Sequence, residues 1–577
     1  MQCRKDFIGK IDQCKDIIKD EEVWNKIPVV NYTPNNLLFH DQLVIYRGMV
    51  QDMLNPVLYL SQYEVKNIDT GESSVRQGQF TDALDCKDNE EAILESSATV
   101  YKERSSIYCV TVPGSNNWVE KSIRERNSAN IANLQSSSAC EPASSPSASE
   151  NKRTLNDDEK MEEDCNESEL GNTSNKRICT GKVPDVKQKA EEKKCVYNLP
   201  ISERSKEILH PAVLINVYDE DLKLQINDVI EVAGFLSCDP TVINGVAESV
   251  DEDFPPASLV PRINAVHVRV LPASHNQSLQ SDVLRCAETT RAELHSILSK
   301  VLLGDNLAAD YLLLHLLSTV FQRKDALVLG KCCLNLSNLP KGSQYSKLLY
   351  NFLTNLVPTS HYEPMSLESL NSSKFVPKKN YETSRLESGI LQMSKNTLLV
   401  LDETKMQAGQ LNDRGVRNVQ ALTGLINFQK VDYDFQYYPV EFPMDIRVLV
   451  LSEGKSMLPS DFDVCLDYAD TTPEYIEELF VEAGRFVERQ SLTDTLRAYL
   501  TTVANLAYQF SDDVETKITE DFVKMRRERQ KTSSQDLHNL LVLARLFSLS
   551  RGCTTLSKET WEIVQDMEEQ RRLRMEK

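Results

Sequence analysis

Residues 396–406 read Asn-Thr-Leu-Leu-Val-Leu-Asp-Glu-Thr-Lys-Met. Leu398–Leu401 is an apolar run of the length that a strand buried on both faces requires. It ends in two adjacent carboxylates, Asp402 and Glu403. Such a pair falls at the carboxyl edge of an α/β sheet, where ligands bind. In phosphoryl-transfer sites one acid there holds Mg²⁺ and a neighbour orients the attacking water. A strand that simply ends in an acidic turn reads the same way, so the flanking sequence has to decide.

Outward from this run, helical and strand patterns alternate between residues 281 and 470. Leu294, Ile297, Leu298, Val301 and Leu302 share one helical face. Asn306–Gln322 is apolar nearly all round, as a helix between layers would be. Ala326–Leu336 predicts a strand, Tyr345–Leu356 a helix ended by Val357-Pro358, and Asp413–Phe428 another helix. Lys430–Phe442 predicts a hairpin and Ile446–Leu451 a second buried strand. This is the pattern of a three-layer α/β domain. Residues 471–577 predict a helical lid of four helices. Their start signals are Thr472-Pro473, Ser491 with Asp494, Ser533 with Asp536, and Ser557 with the Leu556/Trp561 staple.

The amino-terminal part is different. Residues 1–134 predict a helix followed by strands at Gln42–Met53, Val57–Tyr63 and Thr99–Val112, with Gly48 marking a bulge or tight bend. Residues 197–280 add strands at Ala212–Tyr218, Asp228–Leu236 and Ile263–Leu271. Together they predict an OB-like β-barrel interrupted by an insertion. The insertion, residues 135–196, is rich in Ser, Glu, Asp, Asn and Lys and poor in aromatics, so it is expected to be disordered. Ser145, before Pro146, and Thr154, three residues before Asp157, are phosphorylation candidates. Lys176 and Arg177, then Lys187, Lys189, Lys193 and Lys194, form two basic clusters across a spacer, the layout of a bipartite nuclear import signal. A nuclear location and the import machinery as a partner are the corresponding expectations.

Composition narrows the function classes. The net charge of −21 over 577 residues opposes direct binding of a phosphate backbone. The 14 cysteines are scattered without a Cys-x-x-Cys, so neither a zinc site nor any other metal is expected, and free thiols fit a reducing compartment. No signal peptide is visible. Tyr311–Phe321, the longest apolar run, is too short to span a bilayer, so no membrane role is expected. No Gly-x-Ser-x-Gly or His-Glu-x-x-His occurs, and no catalytic residues are assigned.

A working phosphate site needs a glycine-rich loop ending in Gly-Lys-Ser/Thr between a strand and a helix. Gly454-Lys455-Ser456 follows the acidic strand instead of preceding it, has Leu449 where the first glycine belongs, and meets Pro459 where a helix should start. After Ala326–Leu329, Gly330-Lys331 runs on into Cys-Cys-Leu. No cofactor is expected on these grounds. Ser460-Asp461-Phe462-Asp463 resembles the Ser-Arg-Phe-Asp of the minichromosome maintenance (MCM) helicase subunits, in which the arginine reaches a neighbour's nucleotide. Here that place is Asp461, and an acid facing a triphosphate stabilises no transition-state charge. Asp402-Glu403 likewise resembles the acidic strand end of those subunits, so a degenerate AAA+-like (MCM-like) domain is expected.

The chain as a whole resembles the family of MCM complex-binding proteins. The resemblance rests on Leu43–Met53, Lys378–Thr404, Asp432–Ser456 and Leu537–Trp561, and only the insertion is free of it. It implies a nuclear, non-catalytic relative of MCM subunits that binds a subcomplex lacking one of them. It further implies a role in assembling or importing those subunits, in releasing the helicase from chromatin in late S phase, and in sister chromatid cohesion. Two rival readings remain at this level. One is an active AAA+-type ATPase remodeller. The other is a single-stranded nucleic-acid binder using Tyr46, Tyr59, Tyr63, Tyr101 and Tyr108 of the barrel.

Overall fold

The computed structural model describes residues 11–81, 84–87, 89–138, 197–201, 208–237, 260–271, 277–324, 327–341, 344–469, 471–509, 512–528 and 533–576. Most of the 135–196 insertion, with Ser145, Thr154 and all six basic residues of the two clusters, lies outside the described residues.

Five strands form before the insertion: β1 (Leu43–Met53), β2 (Val57–Asn67), β3 (Ser73–Gln77), β4 (Glu90–Ile93) and β5 (Val100–Val110). Three follow it: β6 (Ala212–Val217), β7 (Val229–Ser237) and β8 (Arg262–Leu271). Pairing runs β1-β7-β8-β6-β5, and β5 pairs β1 again, so five strands close into a ring with β6 and β8 parallel. β2, β3 and β4 extend one side of it. Val44, Tyr46 and Val50 of β1 fill the ring with Ile107, Val213, Ile230 and Ile263. Gly48 is where β1 presses against β5: a Cβ there would meet the Val110 carbonyl oxygen at 2.5 Å. The register irregularity itself falls further on, between Val50 and Asp52, because Gly48 stays in register with Ile230 of β7.

The short hairpin of β9 (Gln322–Lys324) and β10 (Leu327–Leu329) precedes the second large sheet. Its five strands are β11 (Leu334–Ser337), β12 (Ser360–Pro364), β15 (Thr397–Asp402), β18 (Ile446–Leu451) and β19 (Phe462–Cys465). They lie in the order β12-β15-β18-β11-β19, all parallel. The strand expected over 326–336 is therefore two elements. Gly330 breaks it at φ +98°, with its missing Cβ only 2.2 Å from the Thr319 carbonyl oxygen, a position no other residue could occupy. Four further strands, β13 (Lys378–Asn380), β14 (Arg385–Glu387), β16 (Lys430–Asp434) and β17 (Pro439–Pro443), make a separate sheet.

β15 shows why the α/β part has three layers. Leu398 and Val400 enter one core with Tyr311, Leu312 and Leu349, while Leu399 and Leu401 enter another with Met365, Ile426 and Tyr433. Both faces are covered, which is why the run is apolar at every position.

Five helices follow residue 470 among the described residues, not four: Pro473–Val487, Gln490–Ala504, Asp512–Glu528, Ser534–Ser550 and Lys558–Glu576. The unexpected one, Asp512–Glu528, is mostly charged and buries little beyond Val514 and Ile518, so its apolar stripe is too thin to read. Thr472 caps the first helix, and Ser533 with Asp536 forms a capping box on the fourth. Ser491 caps nothing: it lies inside the Gln490–Ala504 helix, and Asp494 pairs instead with Arg497 at 3.0 Å.

The ring part meets the four-stranded sheet and the segments beside it through buried polar groups. The Gln51 side-chain amide donates to the Leu386 carbonyl at 2.6 Å, and Gln392 returns a bond to the Gln51 carbonyl at 2.8 Å. Asn116 donates to the Val357 carbonyl at 2.7 Å, and Asn227 to the Tyr433 hydroxyl at 2.9 Å. Gln51 and Gln392 are fully buried. Gln51→Ala is expected to lower stability by about 1–3 kcal/mol, since it empties a fully buried site and removes one of the two amide donors, Gln51 and Asn198, on the Leu386 carbonyl. A urea midpoint unchanged from wild type would show that this junction contributes nothing.

Candidate functional site

Asp402 closes β15 and is fully buried. Its carboxylate is surrounded by donors of its own chain. Ser346 Oγ donates to it at 2.6 Å, Thr404 N at 2.9 Å and Thr404 Oγ1 at 2.6 Å, and the Tyr362 hydroxyl adds a fourth bond. Ser346 sits in the first turn of the Tyr345–Leu353 helix and Tyr362 on the neighbouring strand β12. A carboxylate that accepts four hydrogen bonds has used the lone pairs that would otherwise face a cation. Glu403, next along, is half-buried and takes the Ser456 hydroxyl at 2.9 Å. Burial raises its carboxyl above the ordinary range, against the opposing bonds from Ser456 and the Met457 and Leu458 amides.

The loop between the first parallel strand and the next helix is 338–344, and not the Gly330-Lys331 segment expected for it. It reads Asn-Leu-Pro-Lys-Gly-Ser-Gln, with a single glycine and no Gly-Lys-Ser/Thr. Gly454-Lys455-Ser456 lies past β18, leads into β19 and not into a helix, and places its serine against Glu403 and the Leu458 amide.

Residues 460–463 are also turned inward. Asp461 is partly buried, forms an ion pair with Lys331 and accepts the Cys333 amide at 2.8 Å. Its own carbonyl accepts from Asn539 at 3.2 Å. Asp463 takes Ser460 Oγ at 2.6 Å and Asn335 Nδ2 at 2.9 Å. Phe462 is buried with its ring 5.6 Å from that of Tyr311. Arg571, from the last helix, donates to the Asp463 carbonyl at 2.9 Å and is held by Glu568 at 2.7 Å. Asp461 therefore has its counter-charge, Lys331, within its own chain.

The two acidic groups are not brought together. β18 and β11 lie between β15 and β19, three strand spacings or roughly 14 Å. In register, Val464 is level with Asp402 through Leu336 and Leu451, so Asp461 enters at the opposite end of its strand. Ser346 and Tyr362 were not singled out in the sequence, and Lys331 was weighed only as part of a failed phosphate loop. Only Ser346 carried a signal, as a hydroxyl opening the helix after the first parallel strand.

The barrel tyrosines offer no stacking platform. Tyr46, Tyr59, Tyr63 and Tyr108 are buried, with the Tyr46 hydroxyl donating to the Pro211 carbonyl at 3.2 Å and that of Tyr108 to the Tyr197 carbonyl at 3.0 Å. Tyr101 alone is exposed among the five. Among the described residues, no group of three or more His, Cys, Asp or Glu side chains gathers as a metal site, and no helix is long and apolar enough to cross a membrane.

Residues 14–575 match the family model described as mini-chromosome maintenance replisome factor. The chain is similar to the mini-chromosome maintenance complex-binding proteins of Drosophila melanogaster (37% identical over 587 residues, 97% of this chain and 94% of the relative), Danio rerio (36% over 601 residues, 97% and 92%) and Homo sapiens (35% over 617 residues, 98% and 94%). With a family match that leaves out only the first 13 residues and the last two, this chain belongs to the mini-chromosome maintenance replisome factor family.

Proposed function

We propose that this chain is a non-catalytic binding partner of MCM helicase subunits that takes the place of one ring member. The observation that carries the reading is Asp402: the carboxylate at the end of the central strand is committed to Ser346, Tyr362 and Thr404. Numbered by chain order, the five parallel strands lie 2-3-4-1-5, the arrangement of ring-forming nucleotide hydrolases, which supports a degenerate AAA+-like domain over 281–470. The helices of 471–577 are its lid. The closed five-stranded ring supports an OB-like barrel shared by 1–134 and 197–280, with 135–196 as its insertion.

A subunit-like fold pairs with a true subunit through the faces that subunits use on one another. Without a phosphate loop, and with Asp461 paired to Lys331, it completes no composite ATP site. A ring containing it closes weakly, so the chain assembles, imports or dissociates MCM subunits and needs no hydrolysis of its own. The basic clusters at 176–177 and 187–194 carry it to the nucleus, and its action on chromatin in late S phase and in sister chromatid cohesion follows from the subunits it holds.

Mixing the purified chain with MCM hexamer should remove hexamer stoichiometrically and leave a subcomplex lacking one subunit, equally well without ATP. An intact hexamer by native mass spectrometry, or an ATP requirement that maps to this chain, would overturn the reading.

A further inference from the structure

Two arginines are buried among the described residues, Arg447 and Arg545. An arginine is rarely taken out of water unless it is paired. Arg447 follows that rule: its Nε donates to the Ser318 carbonyl at 2.9 Å, and Asp445 supplies the opposite charge. Arg545, in the Ser534–Ser550 helix, does not. It is 5% exposed and forms no hydrogen bond or ion pair among the described residues, and its Nη1 is cut off from solvent without an acceptor. The guanidinium carbon lies 4.3 Å from the centre of the Phe321 ring. Burial pulls the Arg545 pKa below the ordinary arginine value, and only Tyr508 acts against that. Phe321 is half exposed and held in place. Its amide donates to the Leu329 carbonyl at 3.1 Å, and a Cβ on Gly330 would come within 2.6 Å of its ring.

The acids on the surrounding elements are already used. Asp445 takes the Val320 amide at 3.1 Å and faces Arg447, Arg323 and Lys395. Asp461 is paired with Lys331. Asp536 caps the helix that carries Arg545 and meets Arg572 at 3.6 Å. Glu288 and Asp310 are held by Arg551 and Arg291 at 2.8 and 2.7 Å. The remaining titratable groups are basic. Arg323 donates to the Gln429 carbonyl at 3.1 Å, Lys324 is exposed, and His538 has its pKa lowered by burial. The side chains of Asp325, Asp512 and Asp513 lie outside the described residues.

We propose that Arg545, beside the Phe321 ring, receives a carboxylate of a partner protein. The guanidinium is a planar fork that a carboxylate fits, and an arginine next to an exposed aromatic ring has the make-up of an interface anchor. A phosphate backbone is disfavoured, because the chain as a whole carries a net charge of −21. The inference deepens the proposed function by naming the point at which an MCM subunit docks, and it rests on that reading.

The test uses the full chain, purified MCM subunits and Arg545→Met, which removes the charge and keeps a long side chain. A buried charge without a counter-charge lowers the stability of the free chain, so the variant should melt at or above the wild-type temperature. Its affinity for the subunits should fall about tenfold or more, mostly through faster dissociation. Arg545→Lys keeps the cation and loses the fork, so its affinity should lie between the two. Arg545→Met melting clearly below wild type would place the role of the arginine inside its own chain and overturn the proposal. So would Asp325→Asn, or Asp512→Asn with Asp513→Asn, if it lowered the melting temperature of wild type and not that of Arg545→Met, since the acid would then be the chain's own. If wild type binds and both Arg545 variants match it within about twofold, this point is not the one used, and the functional reading stands without it. If wild type captures no subunit, that reading fails and the inference with it. A single-stranded oligonucleotide that displaces the subunits from wild type and not from Arg545→Met would make the occupant a phosphate and overturn the proposal.

Discussion

Asp402→Ala is expected to destabilise the chain by about 3–5 kcal/mol and to change nothing in its response to nucleotide. Removing the carboxylate leaves Ser346 Oγ, the Tyr362 hydroxyl, Thr404 N and Thr404 Oγ1 without their acceptor in a fully buried place. Each stranded donor costs about 1–3 kcal/mol, less what relaxation recovers. Asp402→Asn should cost less, since its amide keeps one acceptor oxygen while turning N–H groups toward the remaining donors. The chain has more than one core, so the change is best read locally, as lost hydrogen-exchange protection of the Leu398–Leu401 amides. The nucleotide arm separates a structural acid from a magnesium ligand. A site with a Kd of about 50 µM would gain about 2.7 kcal/mol from 5 mM Mg-ATP, a clear rise in melting temperature. No rise is expected for wild type or for either variant. A rise in wild type that Asp402→Ala abolishes would return the carboxylate to catalysis.

The parts of the fold that were legible are those whose burial is symmetric or whose boundaries are chemical. β15 and β18 read correctly because both of their faces are covered, which makes every position apolar. Helix starts at Thr472 and Ser533 read correctly because a side chain caps each one. β11 read only in part. Its sequence, Leu-Asn-Leu-Ser, carries a polar Asn335 in mid-strand, satisfied by bonds to Asp463 at 2.9 Å and Ser452 at 3.0 Å that come from more than a hundred residues away. The strand expected over 326–336 took in Leu334–Leu336 but ran straight through Gly330, which turns the chain out of line there.

The candidate site shows the same division. That Asp402 and Glu403 end a strand is local information. That Asp402 is filled by Ser346 and Tyr362, 56 and 40 residues earlier, depends on how one helix and one neighbouring strand are set against β15. Periodicity places a residue on a face but does not say what covers the face. The barrel tyrosines are the counterpart: alternation puts them on strands, and only the packing of Tyr218, Pro211 and Tyr197 shows that their rings and hydroxyls are spoken for.

Asp461→Arg, which recreates the Ser-Arg-Phe-Asp pattern, is expected to cost about 3–5 kcal/mol and to restore no hydrolysis. The aspartate is partly buried against Lys331 and accepts the Cys333 amide. A guanidinium there replaces attraction with repulsion between two cations of low exposure, and it leaves Cys333 N without its acceptor. The charge-reversed pair Lys331→Asp, Asp461→Lys should recover part of the loss. A coupling above about 1 kcal/mol in the double-mutant cycle would establish the ion pair as the reason for the acid. The functional arm is the decisive one. Position 461 lies against Lys331 and the Cys333 amide of its own chain, so a ring containing Asp461→Arg should hydrolyse ATP no faster than one containing wild type. If the variant is as stable as wild type and raises hydrolysis by the thousandfold that a working arginine finger supplies, the position faces the neighbouring subunit after all. Loss of the arginine alone would then account for the proposed lack of an active site in this chain.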